Sequence, residues 1–473
     1  MPSLQLLKLG RKANRYWLYI SLVWFLVQGS SLTYPTIRFW DDYLYYAEET
    51  ATLPRNVVPN PGRSQIESLL LAVSPGSFRV AVFLLLPISA ILLHRVLGKT
   101  SGIVSEVERR LITTTFLFFF PWGFSLAVIL TLFNYVLALT GFMFAWNAVI
   151  STNPVVRWLL APILFVFSFR LPSLILFTIF PLTHSLWISR RTWRQLTDRV
   201  VLALVVIASG SLYYPVLEVF GYTFKDGYNQ VLPSRLVKGV LVLFLAATVS
   251  MYGIVRYRRI SEHNGTAPAN VYLYASLASL MFGVAAFPYL ITGHLTDSTS
   301  FLLPLVPGAG GYTGRHLILF AFPLSVLSAA VIGAVDQRFS RRFSQVLVMS
   351  LALLGVSSSI EWKVDALKQQ AAIQAISQIE DLGDFRFVFV NDRTSVLNAK
   401  GRDIRSYEKE GWVRQAGGNS ELKQLYPATS ECSESVLGKE IELTSPNLSR
   451  IRALVRRGLP IVVSVRDSIL CHQ

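Results

Sequence analysis

The chain has 473 residues, of which 52% are hydrophobic and 15% charged, with a mean hydropathy of +0.46 and 44 Lys and Arg against 28 Asp and Glu. That is more apolar surface than one soluble core can hide, which excludes an ordinary globular domain and leaves lipid as the destination of the excess. A basic surplus suggests nucleic acid in a soluble protein, but in a chain of this hydropathy it reports cytoplasmic loops, so nucleic acid is not expected as a partner.

Lys8, Arg11, Lys12 and Arg15 precede the first apolar run, Trp17 to Leu32. No small-residue cleavage site follows that run, so it reads as a retained span with its N-terminal side in the cytoplasm. A long outer loop, 34–79, leads to a second span near Val80 to Leu93 and to an inner loop with Arg95, Lys99, Arg109 and Arg110. The stretch Leu111 to Ile150 is too long for one crossing and carries Asn134 near its middle, which predicts a hairpin of two spans before inner Arg157. Trp158 to Ser189 is interrupted by Arg170 and Pro172, which predicts a second hairpin turning at the outer surface or in a protein-lined cavity.

Arg190, Arg191, Arg194 and Arg199 are again inner. Spans near Val200 to Val219 and Val237 to Ile254 enclose an outer loop with Lys225, Asp226 and Arg235, and lead to inner Arg256, Arg258 and Arg259. A ninth span near Val271 to Ile291, an outer loop to Thr313, and a tenth near Leu317 to Val335 precede inner Arg338, Arg341 and Arg342. The eleventh, Val346 to Ile360, delivers the rest of the chain to the outer side. The expectation is an α-helical polytopic membrane protein of about eleven transmembrane helices, residues 1–360, in which Lys and Arg gather on the inner side.

The tail, 361–473, has mixed charge, a helix-like run from Trp362 to Ile379, and strand-like runs Phe385 to Asn391 and Pro460 to Val465. These predict a small outer-facing soluble α/β domain. The two cysteines, Cys432 and Cys471, both lie in it. A disulfide between them fits an oxidising compartment, and two separate thiols fit the sequence equally well. The sequon Asn447-Leu448-Ser449 matters only in a eukaryotic secretory compartment.

Candidate chemistry begins in the first outer loop, at Phe39-Trp40-Asp41-Asp42-Tyr43-Leu44-Tyr45-Tyr46. Aromatic residues there can anchor the chain at the interface and the carboxylates can simply be solvated. Alternatively, a carboxylate beside the bilayer deprotonates an acceptor hydroxyl or binds a metal, while Trp40 and Tyr43 offer faces to sugar rings. The loop also holds Pro54, Pro59, Pro61 and a short amphipathic run, Ile66 to Val73, suited to lying on the outer leaflet. Later, Gly310-Gly311-Tyr312-Thr313-Gly314-Arg315-His316 closes the last large outer loop. Arg315 there either snorkels to headgroups or grips a phosphate, for which the glycines allow close backbone approach. Arg170 is a functional candidate because an ionisable group near membrane depth is costly, whereas Lys225, Asp226, Arg235 and His294 read as solvated loop charges.

Many spans, an acidic pair in a long first outer loop, a basic residue in a late outer loop and a soluble C-terminal domain resemble the polytopic GT-C type of glycosyltransferase. That resemblance covers the spans and two loops, and its motifs are short. It implies transfer of a sugar from a polyprenyl-phosphate carrier to a cell-envelope glycan, lipid or protein on the outer face of a bacterial inner membrane. Asp41 or Asp42 would be the base, Arg315 would hold the donor phosphate with His316 assisting, and a divalent cation, where one is used, would sit on Asp41 and Asp42. No Walker-type loop, no Gly-x-Gly-x-x-Gly after a strand and no close His/Cys spacing appears, which fits a lipid-linked donor better than a nucleotide sugar. A transporter or flippase of lipid-linked sugars, an envelope polysaccharide polymerase or ligase, and a non-catalytic scaffold are the competing readings.

Overall fold

The computed structural model describes residues 16, 18–29, 32, 69–70, 73–74, 76, 77–100, 104–119, 133–188, 193–219, 231, 233–264, 266–292, 318–335, 337–399, 402, 404–418, 423–427, 435–446 and 460–471. The helices are α1 (Leu18–Gln28), α2 (Ser77–Gly98), α3 (Glu106–Phe119), α4 (Phe133–Val149), α5 (Val156–Ser168), α6 (Ser173–Ile188), α7 (Trp193–Val219), α8 (Pro233–Asn264), α9 (Thr266–Thr292), α10 (Ala321–Ala334) and α11 (Gln337–Ile376). Every apolar stretch expected to span falls on one of them. Five, namely α2, α7, α8, α9 and α11, contain helical stretches long and apolar enough to cross a membrane. The outward faces agree with lipid as solvent: Phe244 and Leu245 on α8 are 70% and 63% exposed.

Local sequence accounts for where these helices start and break. Ser105 and Glu108 form a reciprocal cap at the start of α3, Ser105 N donating to Glu108 Oε2 at 2.7 Å and Glu108 N to Ser105 Oγ at 3.3 Å. Between α5 and α6 the helix breaks at residues 169–172, where Pro172 removes a donor and starts the next helix. Hydroxyls inside helices bond back to their own turn, as Thr113, Thr114 and Thr115 do to Arg109, Arg110 and Leu111 carbonyls. That satisfies them without water.

Consecutive helices run antiparallel, with short links at one end of the bundle: a single residue joins α8 to α9 and two join α10 to α11. Arg95, Lys99, Arg109, Arg110, Arg157, Arg199, Arg256, Arg258, Arg259, Arg341 and Arg342 sit at this first end. The core is aromatic, with Phe322 of α10 as its hub, 4.8 Å from Phe116, 5.0 Å from Phe177 and 6.5 Å from Trp146 by ring centroids. Polar ties bind neighbouring helices: Ser89 Oγ and Thr140 Oγ1 at 3.0 Å, Asn147 Nδ2 to Leu92 O at 3.1 Å, and Trp146 Nε1 to His184 Nδ1 at 3.1 Å. Between α8 and α9 a side chain at Gly253 would collide with Ser276 Oγ, so glycine permits the close crossing.

At 40 residues α11 is about 60 Å long, well beyond the roughly 40–45 Å of a whole bilayer. Its second half therefore leaves the apolar layer. The expected boundary at 360/361 falls inside this one helix, and the expected separate run from Trp362 is its continuation. There Ala372 and Ile376 pack on a mixed sheet of order β2-β1-β4-β5-β3, made of β1 (Phe387–Asp392), β2 (Lys423–Gln424), β3 (Tyr426–Pro427), β4 (Ser435–Thr444) and β5 (Val462–Cys471). β1 is parallel to β2 and β4, and β5 is antiparallel to β4 and β3. Val388, Val390, Ile441 and Leu443 face α11 and the short helix α12 (Ser406–Gln415), whose Trp412 and Val413 complete that core. Gly438 lets β4 approach its neighbours, since a Cβ there would meet Phe387 O at 2.8 Å.

Candidate functional site

Of the residues singled out from the sequence, Trp40, Asp41, Asp42, Tyr43, Arg315, His316 and Cys432 lie outside the described residues. Arg170 lies in the break between α5 and α6, half-buried, with its guanidinium 4.7 Å from the Phe167 ring centroid. Cys471 is disulfide-bonded at the end of β5. Among the described residues no three His, Cys, Asp or Glu side chains gather as a metal site.

The second end of the bundle is where the flanks of both candidate loops meet. Trp24, near the end of α1, donates to Phe83 O in the first turns of α2 at 3.1 Å, and its ring lies 6.4 Å from Phe118 at the end of α3. Phe116, half a turn earlier on α3, touches Phe322 at the start of α10. The ends of α1 and α3 and the starts of α2 and α10 thus share one rim, with α10 beginning five residues after His316. Ser173 Oγ and Tyr289 OH, 3.1 Å apart, and Arg235, which donates to Thr292 O at 3.2 Å, mark its far side.

One residue here was missed in the sequence. Arg79, third in α2, is fully buried, its guanidinium 4.8 Å from the Phe78 ring centroid. Placed from sequence at the edge of the outer loop, it reads as a solvated charge. The signal that finds it is the run Ser77-Phe78-Arg79-Val80, an arginine already inside an apolar helix that has no acidic residue in its first turn. Helices α1, α2, α4 and α10 contain no Asp or Glu, and α3 carries its two at the opposite end.

Two other buried clusters are structural. At the first end Arg199 donates to Val149 O, to Ser185 Oγ at 3.0 Å and to Ser151 O at 3.1 Å, closing the C-terminus of α4, and Arg157 pairs with Asp198 at 2.8 Å beside it. In the tail, Arg402 Nε donates to Asp365 Oδ2 at 2.9 Å and its Nη1 to Glu408 Oε1 and Oε2 at 2.9 and 2.7 Å. Lys368 pairs with Asp392 and Asn398 one turn away on α11. Burial opposes the charge of Arg402, but the Asp365 and Glu408 carboxylates outweigh it and hold the guanidinium above the ordinary arginine value. With every charge in it paired, this network clamps α11 to the chain that follows β1.

No protein-family model matches the chain. Neither a curated protein nor a solved structure matches it.

Proposed function

We propose that this is an integral membrane glycosyltransferase of GT-C type, moving a sugar from a polyprenyl-phosphate carrier to a cell-envelope glycan, lipid or protein. In this reading α1 to α11 all cross the membrane of a bacterial cell, the first end is cytoplasmic, and the second end and the tail are outer. The basic residues collected at the first end support that direction. One observation carries the functional reading: the described flanks of the loop with Asp41 and Asp42 and of the loop with Arg315 meet at one rim, where Arg79 is buried.

The chemistry follows from those groups. Asp41 or Asp42 removes the proton of an acceptor hydroxyl as its oxygen attacks the anomeric carbon. The bond from that carbon to the carrier phosphate breaks, and the phosphate departs with both electrons, held by Arg315. Trp40, Tyr43 and Arg170 contribute to substrate binding around the rim. The test is transfer from a purified polyprenyl-phosphate sugar by protein in proteoliposomes. Asp41→Asn and Asp42→Asn, singly and together, should identify one carboxylate whose loss slows transfer by about 10²–10⁴-fold, the usual worth of a general base. Undiminished transfer in the double variant removes the proposed role.

A further inference from the structure

Lysine is almost never fully buried, and where it is, it has a partner. Lys368 on α11 is fully buried, and two side chains from other parts of the tail meet its amine: Asp392 at the end of β1 and Asn398 in the chain that follows. Both are buried with it, the Asp392 side chain being 4% exposed and Asn398 1%. Asp392 Oδ1 accepts from Thr394 N at 2.9 Å and from Thr394 Oγ1 at 2.6 Å, which fixes the carboxylate with Oδ2 on the amine. The Trp412 ring, its centroid 5.7 Å from Nζ, lies alongside.

An ion pair alone accounts for Asp392. It does not account for a buried carboxamide whose carbonyl meets the same amine. Asn398 Oδ1 lies 2.5 Å from Lys368 Nζ, while Asn398 Nδ2 donates to Arg402 O at 2.8 Å. A C=O bond is about 1.23 Å long, so Nζ is at most about 3.7 Å from the carboxamide carbon Cγ. Reacting atoms poised for attack stand about 3–3.5 Å apart. Amine, carboxamide and carboxylate are thus gathered in one buried place, each from a different stretch of chain.

We propose that Lys368 and Asn398 become joined by a side-chain amide bond formed within the folded tail, the arrangement described being that of the reactants. Asp392 Oδ2 takes one proton from the Nζ ammonium, and the lone pair of the resulting amine forms a bond to Cγ. The Cγ–Nδ2 bond breaks, and Nδ2 leaves with that electron pair and a second proton from Nζ. Ammonia departs, one proton stays on the new amide nitrogen, and Asp392 keeps the other, so no unpaired charge is left in the site. Burial also excludes the water that would compete for Cγ. The bond closes the chain from Lys368 to Asn398 into a loop around β1 and makes the clamp between α11 and the tail covalent, which limits the freedom of the unfolded tail as a disulfide does. It does not depend on the glycosyl-transfer reading.

The experiment uses the full chain purified from membranes, denatured, reduced and digested with trypsin, with the peptides sequenced by tandem mass spectrometry. Trypsin does not cut after a lysine whose amine is acylated. The native protein should therefore yield a branched peptide of residues 364–386 joined to residues 394–400, lighter than the two together by one ammonia in addition to the missing cut. Lys368→Arg, which keeps a cation beside Asp392, should give no branch. In Asp392→Asn the branched fraction of newly made protein should fall about tenfold or more, with folding checked by thermal unfolding. Separate peptides 364–368 and 394–400 from the native chain overturn the proposal, and the native peptides decide it whether or not the variants fold. Loss of ammonia without a branch overturns it too, since that places Asn398 in a ring with its own backbone. An undiminished branch in folded Asp392→Asn overturns the proton transfer as written.

Discussion

Two buried arginines show how differently the two parts of the molecule handle charge. Arg199 in the helical bundle is satisfied by backbone carbonyls and a hydroxyl at the C-terminus of α4. Arg402 in the tail is held by two carboxylates. Backbone carbonyls at a helix end come without a further charge to desolvate, which suits a region in contact with lipid. The tail buries carboxylates as well, so its stability depends on their partners remaining in place. The bundle is thus held chiefly by apolar packing with neutral polar ties, and the tail by an apolar core plus an ion network that ties it to α11.

Substitutions can break or sharpen that contrast. The largest loss is expected for Arg402→Ala, which strands Asp365 and Glu408 and should destabilise the tail by about 4 kcal/mol. Limited proteolysis should then cut beyond α11 while the bundle stays intact. Replacing all three charges together, Asp365→Leu, Arg402→Met and Glu408→Leu, should restore most of that loss. Phe322→Ala should cost about 3 kcal/mol by leaving a cavity among Phe116, Phe177 and Trp146, seen as a lower thermal midpoint of the bundle with the tail unaffected. Arg199→Ala should cost about 2 kcal/mol on the same measurement. Unlike Arg402, it has no restoring partner change, because carbonyls cannot be substituted.

The smallest effect concerns acid. Hydrogen bonding from Arg466 holds the Glu440 carboxyl below its ordinary range, with burial working against the shift and Asn391 adding to it. A carboxyl depressed in the folded state contributes stability that is present above its unfolded pKa of about 4.3 and is lost as pH falls through the folded value. Glu440→Gln should therefore lower the thermal midpoint slightly near neutral pH, and the difference should vanish in strong acid. Arg466 is largely exposed, which keeps the effect small.

Much of the helical part was legible because apolar length and loop charge are strong signals: the described residues of the expected stretches lie largely on helices, five of them long and apolar enough to span, and the break at Arg170 and Pro172 lies where the sequence places it. The continuity of α11 was not legible. The change from apolar to mixed composition at Glu361 looks like a boundary, yet nothing between Ile360 and Trp362 stops a helix. In the tail β1 and β5 fall close to the expected runs. β4 was missed because Lys439, Glu440 and Glu442 obscure the alternation of Ile441 and Leu443 with a polar face. Arg79 was missed for the opposite reason, since a charge at a span's edge is usually solvated and only packing shows it buried.

The most direct test of the proposal that rim and tail share the outer face is the sidedness of two exposed positions, Val396 in the tail and Lys99 at the first end. Val396→Cys and Lys99→Cys are labelled in intact cells with a membrane-impermeant maleimide, before and after permeabilisation. The expected result is that Val396→Cys labels at once and Lys99→Cys only after permeabilisation. Labelling of both from the same side, or the reverse order, contradicts the proposed direction and with it the placement of Asp41, Asp42, Arg315 and the tail on one face.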